Sequence, residues 1–174
     1  AFGLVVEGCV ALDVGASTGG FTDCLLRRGA RRVIAVDVGY GQLAWTLRQD
    51  ARVVVLERVN ARTLDPAGLP ETPTVATVDV SFISLTLVLP AVAAAVAPGG
   101  TIVALVKPQF EVARDAVGKG GVVRDPVARA AAVARVGAAA AALGLAVAGT
   151  AESVLPGPKG NREVFLRLHR ARAS

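Results

Sequence analysis

The amino-acid sequence predicts an α/β domain: seven strands in a mostly parallel sheet, with helices on both faces. Three observations predict it. Short, continuous apolar runs alternate with helical stretches, as expected of strands covered on both sides. A Gly-rich loop, Asp13-Val-Gly-Ala-Ser-Thr-Gly-Gly20, separates the first run from the first helix. Charged residues close several runs, at the strand ends where open α/β sheets bind ligands.

Taken in order, the strands are read as Cys9–Asp13, Arg32–Asp37, Arg52–Leu56, Val75–Asp79, Thr101–Lys107, Leu145–Val154 and Glu163–His169. The first helix starts at the Gly loop and stops at Arg27-Arg28-Gly29, with basic residues in the last turn and a Gly stop. A second covers Gln42–Arg48 and a third Leu85–Ala97. The fourth opens with Asp125 as N-cap and Pro126 at the first position, then runs to Gly144. The last strand alternates apolar and polar residues and follows a Pro/Gly turn. It is expected as a half-covered, antiparallel edge strand, with Glu163 at its start.

The 174 residues suffice for one such domain and its core, with no internal boundary or repeat. Hydrophobic residues make up 53% and aromatics 4%, so the core is built from Ala, Val and Leu. The uncharged stretch Val80–Val106 is long enough to raise a membrane span. Pro90 and Pro98-Gly99-Gly100 divide it into a helix and a buried strand, and no span is expected. Net charge is +5 and the sequence pI about 10.0, which favours a polyanion such as nucleic acid. Cys9 and Cys24 read as buried small hydrophobes in a reducing cytosol. His169 reads as a surface residue, and no cluster has metal-ligand spacing. The chain lacks Met and starts almost on a core strand, which reads as a piece of a longer protein.

In the Gly-rich loop, Gly15 allows a tight turn, while Gly19 and Gly20 open the helix to a ligand. Ser17 stands where a dinucleotide site wants Gly, and no Gly-Lys-Ser/Thr follows, so neither a nicotinamide cofactor nor a triphosphate is expected. An acid two residues before the first Gly suits S-adenosyl-L-methionine, which carries no phosphate. Asp37 ends the second strand, where an acid can grip ribose hydroxyls; a helix cap or surface acid is the plainer alternative. Asn60 follows the third strand and is a candidate for adenine.

Asp79, Lys107 and Glu163 each end or interrupt an apolar run. Such charges are costly to bury without partners and suggest one shared site, the alternative being a structural ion-pair network. Asp79 is followed by Val-Ser-Phe, not the Pro-Pro-aromatic motif of amino-group methyltransferases acting on bases. No Cys stands where a cytosine-carbon enzyme needs a nucleophile. An oxygen acceptor remains.

The stretches Leu12–Thr22, Asp37-Val-Gly-Tyr-Gly-Gln-Leu43, Asp79-Val-Ser-Phe-Ile-Ser-Leu85, Val106-Lys-Pro-Gln-Phe-Glu111 and Pro156-Gly-Pro…Gly160-Asn extend over nearly the whole chain. In these the chain resembles the TlyA family of ribosomal-RNA 2′-O-methyltransferases, also labelled hemolysin-like, within the FtsJ-like group. The resemblance implies a Rossmann-like S-adenosylmethionine-dependent methyltransferase fold over residues 1–174. It implies a cytoplasmic enzyme, here expected as a monomer, acting on cytidine 2′-hydroxyls of ribosomal RNA in the ribosomal subunits. Asp79, Lys107 and Glu163 match the last three members of the family's Lys-Asp-Lys-Glu tetrad. In the family the first Lys, and further up an S4-like RNA-binding domain, precede the part matched here, so residues 1–174 alone are expected to be inactive. The implied cofactor set is Asp13, Gly15, Ala16, Ser17, Thr18, Gly19, Gly20, Phe21, Asp37, Val38, Asn60 and Asp79. No metal is implied.

The segment from Lys107 to Asp125 carries Arg114, Lys119 and Arg124 among glycines, and reads as an RNA clamp or a solvated loop. Pro156–Asn161 is a second such loop. Phe82 and Phe110 are candidates for stacking a base or for the core. Two other classes compete with the enzyme: an RNA- or ribosome-binding module that holds the cofactor without catalysis, and a membrane-lytic factor.

Overall fold

A computed structural model describes residues 2–172, with Pro158 described by its backbone only. Seven strands form one sheet: β1 (Val10–Val14), β2 (Arg32–Asp37), β3 (Val53–Glu57), β4 (Val75–Val78), β5 (Thr101–Val106), β6 (Leu145–Glu152) and β7 (Val164–Arg170). Their spatial order is β3-β2-β1-β4-β5-β7-β6. The first five are parallel, and β7 runs antiparallel to both neighbours. The helices are α1 (Gly20–Arg27), α2 (Trp45–Arg48), α3 (Leu85–Ala95), α4 (Pro108–Glu111) and α5 (Pro126–Ala142).

The strand order reverses between β1 and β4, and the loops after their C-terminal ends diverge there. That is the crevice where open α/β sheets accept ligands. One face of the sheet packs Val10, Leu12, Val14, Ala76, Val78, Ile102, Ala104, Leu166 and Leu168 against α3 and α5. The other packs Ala11, Val33 and Val75 against Leu25 and Leu26 of α1. Because side chains alternate along a strand, Asp13, Thr77, Lys107 and Glu163 fall on the α1 side. All of β1 is buried, so a carboxylate at Asp13 must find its partners inside the protein.

Several elements differ from the sequence expectation. β7 is interior, between β5 and β6, and β6 is the edge. The alternation of β7 was read as one solvated face, but Phe165 packs edge-to-face on Phe21 and Arg167 donates to the Phe2 carbonyl. Helix α2 is a single turn, since Gly41–Leu43 lie in the loop that borders the Gly-rich turn. α4 is an additional short helix, started by Pro108. α3 ends at Ala95, before Pro98-Gly99-Gly100. Cys24 is exposed and Cys9 half-buried, because α1 buries Thr22, Leu25 and Leu26 instead.

Candidate functional site

The Gly-rich loop turns over the end of β1. Gly15 has φ +82°, and a Cβ there would run into the Asp79 backbone carbonyl. Glycine at this point is therefore required twice, by conformation and by close approach. The amides of Gly15 and Ala16 donate to the Val36 carbonyl at 2.8 and 3.1 Å. Ser17 takes φ +50° and its amide donates to Asp37 Oδ2 at 2.7 Å, while the Gly39 amide donates to Oδ1 at 2.7 Å. Asp37 thus braces the loop from both oxygens. Each oxygen keeps a lone pair for a ligand hydroxyl.

Beside this loop lies a cavity of about 470 Å³, within the range of small-molecule sites. Gly15, Ser17, Asp37, Val38, Asn60 and Asp79 line it, together with residues the sequence reading did not single out for the cofactor: Gln42, Val59, Ala61, Ser81 and Ile83. Among the described residues, two carboxylates and no Lys or Arg border the space. This suits a ligand with positive charge and hydroxyls, and not a pyrophosphate.

Other expected cofactor residues stand outside the cavity wall. Asp13 is fully buried beneath the loop, where Thr22 Oγ1 and Thr77 Oγ1 donate to it at 2.7 and 2.9 Å. Burial pushes its carboxyl up, and the two hydroxyl bonds oppose that shift. Asp13 ties β1, α1 and β4 together and so supports the loop from below. Ala16 packs with Ala35 and Leu43, and Gly19 lies against Leu43 and Leu47. The Thr18 carbonyl accepts from the Ala44 amide at 3.0 Å. Gly20 opens α1, and Phe21 reaches toward Phe165. Asn60, by contrast, lines the cavity, and its side chain accepts from the Arg62 amide at 3.0 Å to cap a 3-10 turn there.

Asp79, Lys107 and Glu163 converge at one end of the sheet. Asp79 and Lys107 follow the parallel neighbours β4 and β5, and their side chains meet at 2.6 Å from Oδ1 to Nζ. Lys107 also donates to Ser81 Oγ at 3.0 Å. Carrying the β5–β7 register one step past Val106↔Val164 sets Lys107 opposite Glu163. Burial pushes the Glu163 carboxyl up, and the Lys107 charge partly offsets this. The Gln109 amide approaches Glu163 at 3.5 Å. A polar cluster with one ammonium, two carboxylates and a hydroxyl is thereby placed at the rim of the cavity.

The aromatic pair has split roles. Phe82 is 91% exposed with φ +64°, beside the cavity, while Phe110 is half-buried and tilts against it at 5.2 Å between centroids. Glu111 reaches back from α4: its carboxylate accepts from the Leu85 amide at 2.7 Å and from Ser84 Oγ at 2.6 Å. It thus caps α3 and fixes the loop that carries Ser81 and Phe82. Among the described residues no group of three His, Cys, Asp or Glu is placed to hold a metal ion. Among them, too, no helix is long and apolar enough to cross a membrane.

Comparison with known proteins supplies the rest. The model of the family described as FtsJ-like methyltransferase matches residues 1–170. The 16S/23S rRNA (cytidine-2′-O)-methyltransferase TlyA of Mycobacterium tuberculosis is 55% identical over 168 residues, which are 97% of this chain and 63% of the relative. A solved structure from Streptococcus thermophilus, described as a candidate hemolysin, superposes with a TM-score of 0.95 at 46% identity, covering 98% of this chain and 62% of its own. The chain thus spans about three fifths of the length of these relatives. A S-adenosylmethionine-dependent methyltransferase from Listeria monocytogenes shares the fold, with a TM-score of 0.66 at 12% identity.

Proposed function

This chain belongs to the FtsJ-like methyltransferase family, and on that premise we propose that it transfers a methyl group from S-adenosylmethionine to a ribose 2′-hydroxyl of ribosomal RNA. The relative from Mycobacterium tuberculosis is named for that reaction on cytidine, and cytidine is the nucleoside proposed here. A ribosomal substrate puts the reaction in the cytoplasm, carried out by a monomer.

The observation that carries the proposal is the convergence of Asp79, Lys107 and Glu163 beside a cavity whose lining holds Asp37 and Asp79 and, among the described residues, no Lys or Arg. The residues fit S-adenosylmethionine. Asp37 and Asn60 would hold the ribose and base, and Asp79 would offer its carboxylate to the cationic end. Gly15 provides close clearance. When bound, the cofactor supplies an electrophilic methyl group on a sulfonium.

The chain's own residues do the positioning. Lys107 Nζ is aimed by Asp79 and Ser81 and would hydrogen-bond the acceptor hydroxyl. It would steady that oxygen, whose proton would pass to solvent water as the methyl group is taken up. The Asp79 and Glu163 carboxylates set the charge around Nζ. Holding a hydroxyl in line with a reacting carbon is worth roughly 7–11 kcal/mol of barrier, so no strong base is required. Exposed Phe82 offers a ring on which an unstacked base can lie.

The deciding experiment incubates the full-length protein and S-adenosylmethionine with unmodified ribosomal RNA and maps methylation by mass spectrometry. A single 2′-O-methylated nucleoside is expected, and methylation on a base or none at all would refute the proposal.

A further inference from the structure

Two loops from distant parts of the chain meet beside Glu163. One runs from Arg114 to Arg124 and holds a tight hairpin closed by a bridge between Gly118 and Val122. The other runs from Leu155 to Arg162 and leads directly into Glu163. Asn161 stands between them, 2% exposed. Its Oδ1 accepts from the Val123 amide at 3.0 Å, and its Nδ2 donates to the Gly121 carbonyl at 2.9 Å. Its own carbonyl accepts from the Gly157 amide at 2.8 Å. Gly157 in turn lies so close to Glu163 that a Cβ would run into its carboxylate. One side chain therefore holds the hairpin, and its backbone holds the turn that packs on Glu163.

The two loops carry five exposed cations, Arg114, Lys119, Arg124, Lys159 and Arg162, and three of these, Lys119, Arg124 and Lys159, stand on or beside the turn at Gly118–Gly121. Among the described residues none of the three is in an ion pair. Lys159 reaches toward Gly121 of the other loop, with Nζ 3.8 Å from where its Cβ would stand. The acid on these segments is Asp115, and Asp125, just beyond the hairpin, is engaged at the α5 N-terminus. Unpaired cations on glycine-rich backbone would normally be ordered only on meeting a ligand, at an entropic cost. A buried amide that satisfies both its donor and its acceptor across the two loops removes much of that cost beforehand.

We propose that Asn161 is a positioning residue that joins the two loops into a single preformed lid, which presents Lys119, Arg124 and Lys159 to the acceptor RNA's phosphates and keeps Glu163 in place. The lid rests on the RNA methyl transfer proposed above. Asn161 touches neither cofactor nor substrate, and acts through the loops.

The test uses the full-length protein with Asn161→Ala, and Asn161→Asp, which keeps an acceptor for Val123 but loses the donor to Gly121. The expected result is faster amide hydrogen exchange at Gly118–Arg124 and an RNA dissociation constant and KM raised about tenfold, as for two lost hydrogen bonds. Cofactor affinity stays near wild type, the melting temperature falls by no more than a few degrees, as for a local loosening that leaves a buried amide unpaired, and Asn161→Asp falls between wild type and Asn161→Ala. In a double-mutant cycle, Lys119→Ala weakens RNA binding in wild type but adds little to Asn161→Ala. Additive losses, unchanged RNA affinity in both variants, or an equal loss of cofactor binding and fold stability would each overturn the lid. A wild type that binds RNA but transfers no methyl group refutes the activity proposed above, and the RNA-affinity cycle still decides the lid. A wild type without RNA affinity overturns both.

Discussion

Asp79 and Lys107 directly follow the neighbouring parallel strands β4 and β5, and their side chains meet at 2.6 Å at the mouth of the cavity. The pair lies where the carboxyl ends of β4 and β5 open toward solvent, and Ser81 completes the grip on Nζ at 3.0 Å. Lys107 is not among the residues that line the cavity, and for that reason the proposed reaction assigns it to the acceptor side.

Lys107→Ala is therefore expected to lower methyl transfer by a hundredfold or more, the usual cost of one positioned charge-bearing group. Cofactor affinity by calorimetry should stay within a few-fold of wild type. Strong loss of cofactor binding in this variant would place Lys107 on the wrong side of the reaction.

Asp37→Asn should weaken cofactor binding by about 1–3 kcal/mol, since a charged acceptor is lost for the ribose and the Ser17 and Gly39 amides lose half their grip. Isothermal titration reads the change directly. Equal affinity for wild type and variant would remove Asp37 from the site.

Gly15→Ala puts a side chain into the Asp79 carbonyl at φ +82°. A strained left-handed residue costs about 1–3 kcal/mol, before the clash is relieved. The melting temperature should fall by several degrees and cofactor affinity should fall with it. Gly20→Ala, with open space at its Cβ, is the control and should melt near wild type.

Glu163 gives a prediction about pH. Burial raises its folded-state pKa above the ordinary glutamate value, with the Lys107 charge opposing. Between the unfolded and folded values the folded protein binds the extra proton, so stability falls as pH rises through that window. Glu163→Gln removes this loss. The variant should melt higher than wild type at neutral pH, and the gap should shrink toward pH 4, while methyl transfer falls. A gap that does not change between pH 4 and pH 7 would show that Glu163 is not strained by burial.

Much of this was legible in the chain. Continuous Val- and Ala-rich runs named the strands to within a residue or two, because burial on both faces leaves no room for polar alternation. The Gly15 turn, the Asp125–Pro126 helix start and the Gly29 stop follow from local backbone chemistry. The charges at Asp79, Lys107 and Glu163 stood out because each interrupts an apolar run.

What the tertiary structure alone decided depends on partners far apart in sequence. Asp13 bonds Thr77, 64 residues away, and lies buried under the loop, a support that local sequence does not reveal. Glu111 caps α3 across 26 residues, and Asn161 reaches Val123 across 38. The insertion of β7 between β5 and β6 turned an expected edge strand into an interior one and set Glu163 opposite Lys107. Periodicity and turn chemistry are properties of neighbouring residues, so the sequence determined the elements and the charged candidates. Strand order and buried hydrogen bonds arise only when the chain folds back on itself, so the structure determined which of those candidates share a site.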